Sequence, residues 1–138
     1  MNEHNLDVNK WIHFALMDFD LAAKVAKDYY PAPIEIICYH CQQAAEKILK
    51  AYTLANGNPL KKTHDLNVLA NDCKQFFTEF DKLQKSCLSL TKYEIISRYP
   101  PLVDLTETDM KQALKDTRQI LDFTIPKLTE MGYECKSE

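Results

Sequence analysis

Apolar residues in this chain return every three or four positions, segment after segment, and that period admits one kind of architecture. Val8, Ile12, Ala15, Phe19, Ala22, Ala26 and Tyr29 alternate steps of four and three, the seam of a core-facing helix. Only two glycines interrupt the 138 residues, and the spacing is nowhere the strict alternation of a half-buried strand. The expectation is all-α. A chain of this length fits one domain and buries roughly two-thirds of its unfolded surface. We therefore read residues 1–138 as a single helical domain with its core at about 7–130.

The helix signals divide that domain into five pieces. The first helix runs from Asp7 to about Tyr29, with Trp11, Phe14, Leu21 and Val25 widening its apolar surface toward two neighbours. Asp20 and Lys24 form an i,i+4 pair on its wet side. Pro31-Ala32-Pro33 breaks the chain, and Pro33 suits the first position of a second helix. That helix reaches about Ala55, with Ile37, Cys41, Ala44, Ile48 and Tyr52 inward and Gly57 as a left-handed stop. Thr63 reads as the N-cap of a short third helix through about Cys73. Thr78 with Asp81 resembles a capping box opening a fourth, whose stripe is Phe80, Leu83, Cys87 and Leu90 and whose end is Pro100-Pro101. Thr106 with Asp109 repeats the capping signal for the last helix. There Met110, Ala113, Thr117, Ile120, Thr124 and Leu128 face inward, Pro126 should kink or fray the helix, and Gly132 stops it. Residues 133–138 read as a loose tail. The sum is an up-and-down bundle of four main helices plus one short one.

Composition removes several function classes. A net charge of −3 gives no long-range attraction to nucleic acid or anionic membranes, although local basic clusters can still bind phosphate. No apolar run approaches the ~18 residues that span a bilayer. The N-terminus lacks the pattern of a signal peptide, so a cytoplasmic address is expected. Five cysteines are an odd number. Cys38 and Cys41 form a C-x-x-C around His40, but zinc needs a second pair of ligands and a redox motif needs a preceding strand. Small buried thiols are the expected reading, with no metal or cofactor.

Two segments carry the candidate chemistry. In residues 38–51, at about 100° per residue, His40, Gln43, Lys47 and Lys50 share one helix face with Glu46 at its edge. This is either a solvated face with a Glu46–Lys50 i,i+4 bridge, or a groove in which His40, Lys47 and Lys50 hold a phosphate while Gln43 reads a base or partner. Downstream, Lys61-Lys62-Thr63-His64 is either a capped helix start whose imidazole packs on helix two, or an anion site at exposed N–H groups. Arg98-Tyr99-Pro100 either terminates a helix or belongs to the site, with Tyr99 stacking on a base or closing a dimer contact. Tyr29-Tyr30 reads as packing at a helix end. His4 and His13 carry no usable pattern.

Taken in order, Trp11 with Asp20-Leu21-Ala22-Ala23, then residues 40–51, then Lys62-Thr63-His64-Asp65-Leu66, then Ser97-Arg98-Tyr99-Pro100, the chain resembles the HEPN family (higher eukaryotes and prokaryotes nucleotide-binding domain). The resemblance implies a helical bundle, a homodimer, and one of several roles: metal-independent ribonuclease toxin, partner of a minimal nucleotidyltransferase in a two-component, toxin-antitoxin-like system, or nucleotide binder. Ribonuclease members carry an arginine followed four to six residues later by a histidine. Arg98 has no histidine in that window or later, and Arg118 has none either. RNA cleavage without metal needs a proton-transfer group near neutrality and a cation for the charged phosphorane. The usual base is missing.

The leading expectation is a non-catalytic or weakly catalytic protein that binds a nucleotide, a nucleotidyltransferase partner, or both. Its phosphate-facing groups would be Lys47, Lys50, His64 and Arg98. The alternatives are a ribonuclease using Arg98 with His64 or His40, and a purely structural helical adaptor.

Overall fold

The structure is a computed structural model; it describes residues 3–97 and 104–135, and side chains within 7–96 and 104–135. Among these residues lie five α-helices: α1 (Glu3–Asp28), α2 (Ile34–Ala55), α3 (Leu66–Lys74), α4 (Gln84–Thr91) and α5 (Glu107–Glu130). Two 3₁₀ helices, Thr78–Leu83 and Lys92–Ser97, lead into and out of α4. Together with α4 they make the fourth member of the bundle, and α3 is the short one.

The helix α2 occupies the middle. It packs along α1 on one side and α5 on the other, and also meets α3, α4 and the second 3₁₀ helix. Its inward stripe, Ile37, Cys41, Ala44, Ile48 and Tyr52, is buried as the period requires. Its alanines let α1 approach closely, where Val8, Ile12, Ala15, Phe19 and Ala22 are also buried. The predicted second neighbour of α1 is marginal, since α1 touches α5 only slightly. Phe14, Met17 and Leu21 therefore stay about half exposed. Lys24 pairs with Asp28 at 3.1 Å.

Several boundaries depart from the sequence reading for local reasons. Asp65, two residues beyond Thr63, caps α3: its carboxylate accepts from the Asn67 N–H at 2.9 Å. Thr63 Oγ1 instead accepts from the Asp65 N–H. The Thr78–Asp81 box does not form. Asp81 is taken by Lys74 at 3.1 Å, and the segment winds as a 3₁₀ helix without a side-chain cap. Its stripe nevertheless holds, because Phe80, Leu83, Cys87 and Leu90 are all buried. Pro33 sits at the N-cap of α2, one residue before the position expected. Tyr29 and Tyr30 do not pack, Tyr30 being 98% exposed.

The capping box of Thr106 and Asp109 is fully formed at the start of α5, and the six predicted inward positions of that helix are buried. Pro126 is accommodated inside α5, which continues to Glu130. Gly57 (φ 92°) and Gly132 (φ 96°) supply the left-handed turns after α2 and α5, a conformation costly for any residue with a Cβ. The described part of the tail is tied down: the Tyr133 N–H donates to the Leu128 carbonyl at 3.1 Å.

Candidate functional site

The polar stripe of α2 is real, but it is split between two carboxylates and much of it lies under cover. On the α1 side, Asp18 accepts from His40 Nδ1 at 3.0 Å and from Lys47 Nζ. Asp18 follows Trp11 and Phe14 at steps of three and four, so one face of α1 delivers all three to this edge of α2. On the other side, Glu46 is 4% exposed. It accepts from Lys50 Nζ at 3.0 Å, Gln42 Nε2 at 3.1 Å and His64 Nδ1 at 3.0 Å. Gln42 spends its second amide proton on the His64 carbonyl at 3.3 Å, and its own oxygen accepts from Gln43 at 2.7 Å.

Lys50 joins the two halves. Only 6% exposed, it reaches Glu46 while its ammonium lies 5.7 Å from the centre of the Trp11 ring, within range of a cation–π attraction. The expected Glu46–Lys50 bridge therefore exists, in a buried setting rather than a solvated one. Burial pushes the Glu46 carboxyl up, but hydrogen bonds from Lys50, Gln42 and His64 outweigh it and hold the group below its ordinary range. So placed, Lys50 is a counter-ion of Glu46 in the interior.

His64 is positioned from three directions. Thr91 Oγ1 on α4 lies within hydrogen-bond distance of both the Leu66 N–H and the His64 carbonyl, tying the loop before α3 to α4. Glu46 fixes the ring through Nδ1, which puts the proton on that nitrogen and turns Nε2 outward on a half-exposed side chain. Nε2 lies 4.0 Å from Glu94 on the second 3₁₀ helix. Arg98 and Tyr99 lie outside the described residues.

Beside Lys47 the α1–α2 surface opens into a cavity of about 480 Å³ lined by Asp7, Lys10, Trp11, Phe14 and Lys47. Its lining joins two aromatic rings to two lysines and the Asp7 carboxylate. Lys47 Nζ is 6.0 Å from the centre of the Phe14 ring. The sequence reading named Lys47 but missed Lys10 and Asp18, and took Trp11 and Phe14 for packing. The signal was available in the shared face of Lys10, Trp11, Phe14 and Asp18, which mixes charged with aromatic residues where a packing face would be apolar.

The C-x-x-C offers no reactive thiol. Both cysteines are fully buried, and burial pushes Cys38 up to about 11 and Cys41 to about 12, far from a nucleophilic thiolate at neutral pH.

Residues 8–128 match the HEPN domain family. The chain belongs to the HEPN family. The fold agrees with a solved structure, that of TT1696 from Thermus thermophilus: the TM-score is 0.75 at 25% identity, covering 87% of this chain and 97% of that one. No curated protein matches. As a HEPN domain the chain keeps the helical frame that the resemblance implied, and among its described residues no helix is long and apolar enough to cross a membrane.

Proposed function

We propose that this HEPN domain binds a nucleotide in the α1–α2 groove, its base stacked on Trp11 and Phe14 and its phosphate held by Lys10 and Lys47. The observation that carries this is the pairing of two aromatic rings with two lysines around one cavity of about 480 Å³, within the size range of small-molecule sites. Stacking on an aromatic ring contributes roughly 1–3 kcal/mol per base and tolerates any base. Asp18 already neutralises Lys47, so an incoming phosphate exchanges with that carboxylate and gains less than it would from a free lysine. Lys10 makes up the difference.

Trp11 is the one tryptophan of the chain, so its fluorescence reports the groove directly. Titration with AMP should quench it saturably, and the double substitution Lys10→Ala, Lys47→Ala should weaken binding about tenfold or more, the loss of one or two charge-assisted contacts. Absence of quenching at millimolar AMP, or quenching indifferent to both lysines, would exclude the groove.

One feature supports a second reading, the ribonuclease. A carboxylate that orients a histidine through Nδ1 and leaves Nε2 outward is the arrangement of a general base, and Glu46 with His64 has it. Incubation with single-stranded RNA in excess chelator tests this. Cleavage that disappears in His64→Ala supports the enzyme, and RNA left intact by the wild-type protein removes it.

A further inference from the structure

Between α4 and α5 the surface opens into a second cavity, of about 470 Å³. Its polar lining comes from Ser86 and Lys85 on α4 and from Gln112, Lys115, Asp116 and Gln119 on α5, with Ser89 and Lys82 at the edge. Asp116 is 5% exposed, an unusual depth for a carboxylate with no lysine or arginine bonded to it among the described residues. Its Oδ1 lies 3.2 Å from the Ser86 hydroxyl and accepts from Gln112 Nε2 at 3.0 Å. Its Oδ2 is closed to solvent and meets no donor.

Ser86 stands between two acceptors. Ser86 lies 2.9 Å from Gln119 Oε1 as well as 3.2 Å from Asp116 Oδ1, yet a hydroxyl has a single proton to give. When Ser86 serves Gln119, Gln112 is the one side-chain donor left on Asp116 among the described residues. The rim has the opposite character. Lys85 and Lys115 have no ion-pair partner among the described residues, and Lys82 has Glu79 at a loose 3.5 Å. A ligand that satisfies both halves carries N–H donors at one end and an anion at the other.

We infer that this α4–α5 cavity is a second nucleotide site, taking a nucleoside monophosphate whose exocyclic amine donates to Asp116 and Gln119 and whose phosphate lies between Lys85 and Lys115. The amine is the discriminating group. A carbonyl in its place meets the Asp116 carboxylate with like polarity and leaves Oδ2 without a donor.

Cytidine and uridine monophosphates differ at that position and make the test. In an ¹⁵N–¹H titration of the full chain, CMP should move the side-chain amides of Gln112 and Gln119 and the backbone amide of Asp116 saturably, and UMP should need about ten times the concentration, the worth of one hydrogen bond to a charged group. Asp116→Asn keeps the shape, can face a carbonyl, and should bring the two ligands within about twofold of each other. Lys85→Ala with Lys115→Ala, both exposed positions, should weaken CMP about tenfold while leaving cytidine unaffected. Equal response to CMP and UMP in the wild type, or no movement of these amides at millimolar CMP, overturns the proposal. The Trp11 indole N–H in the same spectra reports the α1–α2 groove, so failure of either site is read independently of the other.

Discussion

Glu46→Ala is expected to cost about 3–5 kcal/mol of unfolding free energy at neutral pH, the usual penalty for leaving one partner of a buried ion pair uncompensated. Domains of this size are stable by only about 5–15 kcal/mol, so the variant will sit near the threshold of folding. The loss comes less from the attraction removed than from what stays behind: Lys50 has no other carboxylate bonded to it among the described residues, and the Gln42 and His64 groups that converge on Glu46 lose their common acceptor. Replacing both charges with apolar residues of similar size, Glu46→Met with Lys50→Met, should recover the share of the loss that the unpaired Lys50 causes, because a well-packed apolar pair needs no desolvation, while Gln42 and His64 still lack their acceptor. Urea midpoints by circular dichroism measure all three proteins. A cost below about 1 kcal/mol for Glu46→Ala would mean that the pair behaves as a surface bridge. The pH dependence carries a sign of its own. The folded Glu46 carboxyl lies below its ordinary value of 4.5, so the stability it contributes is present above that value and is lost as pH falls through the lower, folded one. Wild-type stability should therefore decline in acid more steeply than that of the double-methionine variant.

Phe80→Ala is the second large effect, at about 3–5 kcal/mol, the range for deleting a fully buried phenylalanine. Phe80 is 0% exposed. Its ring centre lies 4.7 Å from that of Tyr52 on α2 and 5.0 Å from that of Phe123 on α5, so one side chain joins the 3₁₀ segment before α4 to both of these helices. Lys127 adds to the cluster, its ammonium 3.7 Å from the Phe123 ring centre and 5.9 Å from that of Phe80. A melting temperature lower by roughly 10 °C, at the few degrees per kcal/mol usual for a chain of this length, is the expected result in a thermal scan. A drop of only two or three degrees would show that Tyr52, Phe77 and Phe123 collapse into the vacated space.

What the sequence made legible was periodicity. The stripes of α1, α2 and α5 and the Thr106–Asp109 box were readable because they rest on spacing within one segment. The failures share a cause. The Thr78–Asp81 box did not form because Lys74, from the preceding helix, holds Asp81, and Tyr29-Tyr30 found nothing to pack against. Each depends on a neighbour that no local pattern names. The stripe of α2 shows the same limit at the site. Amphipathic reasoning places polar residues outside, and Glu46 and Lys50 do the reverse because α2 is flanked on both sides and the loop before α3 lies over them. Residues 40, 43, 47 and 50 do share a face, yet Asp18 and Glu46 divide it into two charge-balanced halves. Nothing in the sequence singles out Asp116, since its cavity exists only where α4 and α5 meet.

The buried thiols have a consequence for how this domain's motions can be followed. Cys38 and Cys41 on α2, Cys73 on α3 and Cys87 on α4 are all sealed, while Cys135 at the end of the docked tail is partly open. A thiol reagent therefore meets five sulfurs distributed along the chain, four of them sealed on three different helices and one partly open. Alkylation at the partly open Cys135 comes first, whereas modification of the other four waits for α2, α3 or α4 to open. The order in which the cysteines are labelled is a record of which parts of the bundle come apart together, written in the protein's own atoms and requiring no introduced probe.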